Sequence, residues 1–232
     1  MMISKMSLQI KNWRKIIEYT IYGALALLLL IFVIRVSIFE QNYYNEKEGS
    51  ERAVLDIVST DVELDEEKPN DAAVAEYKVA ADRPRYLSID KLGIKNARIL
   101  PMGVNAAGEL DTPRNIFDVG WYEASGKPGQ GGTMIIDGHN GGPNVHGVFK
   151  NTPNLANGDI ITIERGDGAK FNYRVVENVA VPLAESNAYM VTAAKSPEQG
   201  KESVTLISCT GDWSQSQGTY LSRQFTRAVL TE

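Results

Sequence analysis

Reactive side chains are scarce in this 232-residue chain, which has one cysteine, Cys209, and two histidines, His139 and His146. A single cysteine excludes an intramolecular disulfide. One Cys and two His also fall short of the four ligands of a structural zinc site. An excess of basic charge is lacking too. The formal net charge is -5 and the pI about 5.2, which excludes a nucleic-acid binder that works by bulk charge. No phosphate cradle is present, because the glycines of Gly126-Lys127-Pro128-Gly129-Gln130-Gly131-Gly132 miss the required spacing and no helix follows. That stretch reads as a turn. Hydrophobic residues make up 43 % and charged residues 23 %, enough apolar content to bury a core.

Charge divides the chain into three regions. Residues 1–39 carry five Lys/Arg and one acid, residues 40–82 four bases and thirteen acids, and residues 83–232 fifteen of each. The first region holds an uncharged run, Tyr19 to Ile34, inside a wider apolar stretch from Ile16 to Phe39. The wider stretch would span roughly 36 Å as a helix, against a hydrocarbon core of about 30 Å. Residues 16–39 are therefore expected to form a transmembrane anchor. Lys5, Lys11, Arg14 and Lys15 precede it without an acid, so residues 1–15 are expected in the cytoplasm and the rest outside. The following Val36-Ser37-Ile38-Phe39-Glu40 has no small-x-small pattern, which favours an uncleaved anchor over a signal peptide. Residues 40–82 read as an acidic extracellular linker.

From Arg83 onward short apolar runs alternate with Gly, Pro, Asn and Asp. Eight of them read as strands, from Tyr86-Leu87-Ser88-Ile89 to Arg223–Leu230, and the Asp167-Gly168 pair marks a hairpin. Only residues 148–155 and 186–194 look able to hold helical turns. The expected fold is mainly β, a barrel or sandwich with short helices, over residues 83–232.

Cys209 follows the strand-like run Ser203–Ser208, and His139 follows Thr133–Gly138. Both are expected where a strand runs into a loop, a place where a rigid scaffold presents reactive groups. A free thiol with a pKa of about 8.5 is only roughly 3 % thiolate at pH 7, so a nucleophilic Cys209 needs a cationic or basic neighbour. His139 can supply the acid–base group, with His146 as a second candidate that lacks a preceding strand. Along Leu221–Val229 the odd positions place Arg223 and Arg227 on one mainly apolar face. A guanidinium there is costly unless it is paired or aimed at developing charge. Arg223 is preferred over Arg227, which lies deeper in the strand. Trp213, close to the cysteine, is a candidate wall for a substrate groove, with core packing the competing role.

Thr205-Leu206-Ile207-Ser208-Cys209, Asp137-Gly138-His139 and Arg223, in this order and spacing, resemble the sortase family, the cysteine transpeptidases of bacterial surfaces. The resemblance runs from about Arg83 to Leu230 and includes Leu92-Gly93-Ile94, Val119-Gly120-Trp121-Tyr122, Gly147-Val148-Phe149 and Gly158-Asp159-Ile160-Ile161. Val119-Gly120-Trp121-Tyr122 is similar to the actinobacterial type, classes E and F. The resemblance implies an eight-stranded sortase-type β-barrel. It implies that Cys209 attacks an LPxTG-like sorting signal after its threonine and that the thioester is captured by an amine. The implied partners are surface proteins with C-terminal sorting signals and an amine acceptor, either a cell-wall precursor or a pilin lysine. His139 would be the acid and base, and Arg223 would stabilise the oxyanion or hold the substrate. Thr205 and Ser208 fall in the motif beside the cysteine and are expected at the substrate. Ser208 departs from the family's usual threonine and keeps the hydroxyl without the methyl group. No cofactor is implied. Calcium binds some relatives, but no positions here carry that site over. The Asp-Pro-aromatic lid motif and the C-terminal membrane helix of pilus-building members are not seen.

Two rival readings stand beside this one. An L,D-transpeptidase is also β-rich and exported, but has Gly before its Cys and Arg two residues after, where this chain has Ser208 and Gly211. A membrane-tethered barrel that only binds would tolerate Cys209→Ala.

Overall fold

The computed structural model describes residues 64–105, 108 and 110–231, and of the remaining chain only Arg35. The expected anchor at 16–39 therefore lies, apart from Arg35, outside the described residues. Among the described residues no helix is long and apolar enough to cross a membrane.

Eight strands form a closed barrel: β1 (Pro84–Ile89), β2 (Ile94–Met102), β3 (Val119–Tyr122), β4 (Thr133–Gly138), β5 (Ile160–Arg165), β6 (Lys170–Pro182), β7 (Ser203–Ser214) and β8 (Thr219–Leu230). Their order around the barrel is β1-β2-β3-β4-β7-β8-β6-β5. The pairs β2–β3 and β4–β7 are parallel and the others antiparallel. Each expected strand is present. Alternation sends one face of each strand inward, and the interior cluster includes Leu87, Ile99, Trp121, Met134, Ile136, Tyr173, Leu206 and Ala228. The Asp167-Gly168 hairpin joins β5 to β6, with Gly168 at φ 87° and Arg165 N–H bonded to the Ala169 carbonyl (2.8 Å).

A second apolar cluster lies on the outer face. Ile135, Ile207, Phe225 and Val181 meet Ala193, Tyr189 and Met190 of helix α2 (Leu183–Ala193), while α1 is the short helix Asp71–Glu76. Tyr173 and Val175 face the core, yet Val179 and Val181 of the same strand face outward. A bulge between Val175 and Glu177 reverses the alternation. It also brings Glu177 to the outer face, where its carboxylate pairs with Arg227 and accepts from Tyr189 Oη (2.6 Å).

Residues 64–82, expected in a linker, pack on the barrel. Asn70 caps α1 by accepting from Ala73 N–H (2.8 Å), and Tyr77 Oη donates to the Ile99 carbonyl (2.6 Å). Asp65 bridges to Asn115, and the Glu66 carboxylate accepts from Asn144 N–H and Nδ2 (both 2.9 Å) and from Val145 N–H. Acidic composition suggested a solvated stalk, but here these carboxylates serve as acceptors for loop N–H groups. The glycine-rich turn at 126–132 is real, and it wraps the Glu202 carboxylate with the N–H groups of Gly129 and Gly131.

Candidate active site

Cys209 and Arg223 stand on β7 and β8, and His139 just past the end of β4. Cys209 pairs directly with Arg223 across β7 and β8. β4 and β7 run parallel, with Asp137 opposite Ile207 as the last registered pair. Cys209 stands two residues further along β7, and His139 two residues beyond Asp137, just past the end of β4. Arg223 therefore stands beside Cys209 on the neighbouring strand, and His139 follows the strand on the other side of β7. Asp137, Ile207 and Phe225 lie side by side across β4, β7 and β8.

Cys209 is not in a loop, as its surroundings suggested. β7 continues to Ser214, and the break in register falls between Thr210 and Trp213, where Gly211 takes φ 82°. The Thr-Gly-Asp signal after the cysteine is thus a bulge within a long hairpin rather than the end of a strand. Cys209 is half-buried. Burial pushes its thiol up, the Arg223 guanidinium pulls it down, and the Asp137 carboxyl pushes it up again. Burial lowers His139 in turn, and a hydrogen bond from Nε2 to the Pro113 carbonyl (2.6 Å) opposes that shift. Both shifts favour a neutral Cys209 thiol and a neutral His139 imidazole at rest.

Arg223 is tied to the hairpin, its Nη1 donating to the Tyr220 carbonyl (3.0 Å) and its Nη2 to Thr219 Oγ1 (3.2 Å). It is half-buried, and its remaining N–H groups leave it able to donate toward a substrate. Arg227 has other work. It is 6 % exposed, paired with Glu177, and donates Nη2 to the Thr192 and Lys195 carbonyls at the end of α2. His146 is exposed in the loop after β4.

Two residues expected at the substrate are placed differently. Thr205 is fully buried, and its hydroxyl donates to the Ala193 carbonyl (2.7 Å), tying α2 to β7. Ser208 is 4 % exposed and, by alternation, lies on the opposite face of β7 from Cys209. Neither is free to touch a peptide. Trp213 is 57 % exposed and stands edge-on to Tyr220. Sequence reading assigned no role to Asp137, whose carboxyl sits in the same outer face. The signal was available: a charged residue on the non-core face of Thr133-Met134-Ile135-Ile136-Asp137, two residues before the histidine. Among the described residues no group of three or more His, Cys, Asp or Glu side chains is placed to hold a metal ion.

The family model for the Sortase domain matches residues 87–231, more than half of the chain. The chain belongs to the sortase family. It is accordingly a cysteine transpeptidase, and the L,D-transpeptidase reading falls away. No curated protein matches the chain. Among solved structures this sortase is similar to a Clostridium perfringens Sortase D5 transpeptidase (21 % identity, TM-score 0.45, 69 % of this chain and 86 % of that one). It is also similar to sortase A from Corynebacterium diphtheriae as a lid mutant (24 %, TM-score 0.46, 66 % and 73 %). A third similar structure is Streptococcus pneumoniae sortase C (18 %, TM-score 0.47, 74 % and 78 %).

Proposed function

We propose that this sortase is a membrane-anchored enzyme that cleaves an LPxTG-like sorting signal at Cys209 and transfers the acyl group to an amine of a cell-wall precursor or a pilin lysine. The observation that carries the reading is the pairing of Cys209 with Arg223 across β7 and β8, with His139 just past the end of β4, the strand on the other side of β7. The Cys209 thiol gives its proton to His139, and sulfur attacks the scissile carbonyl carbon. Arg223 donates to the oxyanion, and the imidazolium returns the proton to the leaving amine. The thioester is then opened by the acceptor amine, and the thiol is restored. Exposed Trp213 offers a rim for such a peptide. The N-terminal stretch 16–39 would hold the domain at the outer face of the cell membrane.

The test incubates the full-length chain with a panel of LPxTG-like peptides and an amine, followed by mass spectrometry. The expected adduct sits on Cys209 and is released by hydroxylamine. Cys209→Ala should abolish it, and His139→Ala and Arg223→Ala should each slow its formation by about 100-fold or more. Adducts that persist in Cys209→Ala would overturn the reading.

A further inference from the structure

Asp137 is a carboxylate that the chemistry above does not use, and it is expensively placed. It stands among Ile135, Ile207 and Phe225 on the outer sheet face, and among the described residues no Lys or Arg lies within ion-pair distance of it. The cross-strand neighbour on β3 is Gly120, and a Cβ there would run into the Asp137 carboxyl, Met102 and the Pro113 ring. The carboxyl, Met102 and Pro113 thus converge on the space that the missing side chain leaves open. The Thr112 side chain hydrogen-bonds the carboxyl. The carbonyl of the next residue, Pro113, meets His139 Nε2 at 2.6 Å. A carbonyl only accepts, so Nε2 carries the hydrogen, and in the neutral ring Nδ1 is left with the lone pair.

We propose that Asp137 is a positioning residue for His139: it anchors Thr112, and through the Pro113 carbonyl it fixes the imidazole as the Nε2–H tautomer, with Nδ1 as the base. Asp137 and His139 are two residues apart on one strand, yet their link runs through the loop that lies over both. The same loop is held from its other side by Asp65, which donates N–H to the Arg114 carbonyl and accepts from Ile116 N–H (both 3.0 Å). The charged and titratable groups around Asp137 are Asp111 on the loop, His139 on its own strand and Cys209 on β7, with Arg223 beyond Cys209 on β8. None of the cations among them neutralises the carboxyl directly, and its hydrogen-bond partners are the Thr112 side chain and its own backbone N–H. The inference rests on His139 acting as the acid–base group of the proposed reaction.

The test uses full-length chain with isotope-labelled histidine. Only two histidines contribute, and His146→Gln assigns them. Wild-type His139 is expected to show the Nε2–H tautomer. Asp137→Ala and Thr112→Val should each populate the Nδ1–H form, whereas Thr112→Ser should keep the wild-type signal. In thioester formation Asp137→Ala should lose about 100-fold in kcat and Thr112→Val about tenfold, with KM for the peptide little changed. The double variant should be no slower than Asp137→Ala, because both changes cut one link. Thr112 is exposed, so its variants carry the test even if Asp137→Ala fails to fold. A His139 signal unchanged in Thr112→Val, or losses that multiply in the double variant, would overturn the proposal. If the wild type forms no thioester, the transpeptidase reaction at Cys209 fails on its own, while the histidine signals still decide whether Asp137 positions the ring.

Discussion

Asp137→Asn should stabilise the protein in mild alkali, and the advantage should vanish in acid. Burial is the largest influence on Asp137 and pushes its carboxyl up to about 7, with Asp111 adding to the rise and Thr112 opposing it. In the unfolded chain the same group ionises near its ordinary value of about 4. The folded state therefore holds this proton more tightly than the unfolded state. Its contribution to stability is full below about pH 4, declines as pH rises through the interval, and is lost above about pH 7. Three pH units correspond to about 4 kcal/mol as an upper bound. Asparagine fits the same niche beside Gly120, can accept from Thr112, and has no proton to lose. Half to all of that bound would raise the melting temperature of the variant over wild type by about 5–15 °C at alkaline pH. Urea or thermal melts of both proteins from about pH 4 to 9 give the difference directly, since nearly all other titrating groups are shared and cancel. Stability curves that stay parallel across this range would refute the account of a carboxyl buried without a counter-charge.

Three further outcomes follow from the same contacts. Native alkylation of Cys209 by iodoacetamide should be slow at neutral pH and rise about tenfold per pH unit beyond the ordinary thiol range; Arg223→Ala should shift the curve higher and Asp137→Asn lower, and a plateau below about pH 8 would contradict the burial of the thiol. Glu177→Ala strips the counter-charge from buried Arg227 and should cost about 3–5 kcal/mol in denaturant melts, most of it recovered by adding Arg227→Met; a loss under about 1 kcal/mol would mean that the pair is idle. Hydrogen bonds from the Asn144 backbone and side chain hold the Glu66 carboxyl below its usual range, so its contribution is present above that range and lost as pH falls; limited proteolysis before residue 82 should quicken in acid and, at neutral pH, in Glu66→Ala, and equal cleavage in wild type and variant would remove the clasp.

Strand positions were legible because alternation and turn residues are local signals. Arg223 and Arg227 were placed on one face for that reason, and they share it. What that face meets was not legible. Arg227 answers to Glu177, and Glu177 reaches the outer face only through the bulge after Val175, which leaves no mark in the composition of β6. Gly211 misled in a related way, since a glycine with positive φ ends some strands and merely bulges others. The packing of residues 64–82 was hidden because an acidic segment looks solvated whether its carboxylates face water or, like Glu66, collect loop N–H groups. Asp137 was in plain view beside His139, but its partners Gly120 and Thr112 are set by long-range pairing.

Strand register decides which face of β7 carries Cys209, and it can be tested at the cysteine itself. β4 and β7 run in the same direction with Asp137 opposite Ile207, and Cys209 pairs with Arg223 on the other side of β7. A slip of one residue would turn the sulfur to the interior face, where Ser208 now stands. The double variant Ser208→Cys/Cys209→Ser imposes that change without moving the strand. Position 208 is 4 % exposed and faces away from the groove, so its thiol should form no thioester and should resist alkylation until the protein is unfolded. Cysteine and serine differ little in size, which keeps the barrel intact for the comparison. A native adduct at position 208 would show that the faces of β7 are not fixed, and the pairing of Cys209 with Arg223 could then no longer be attributed to strand register.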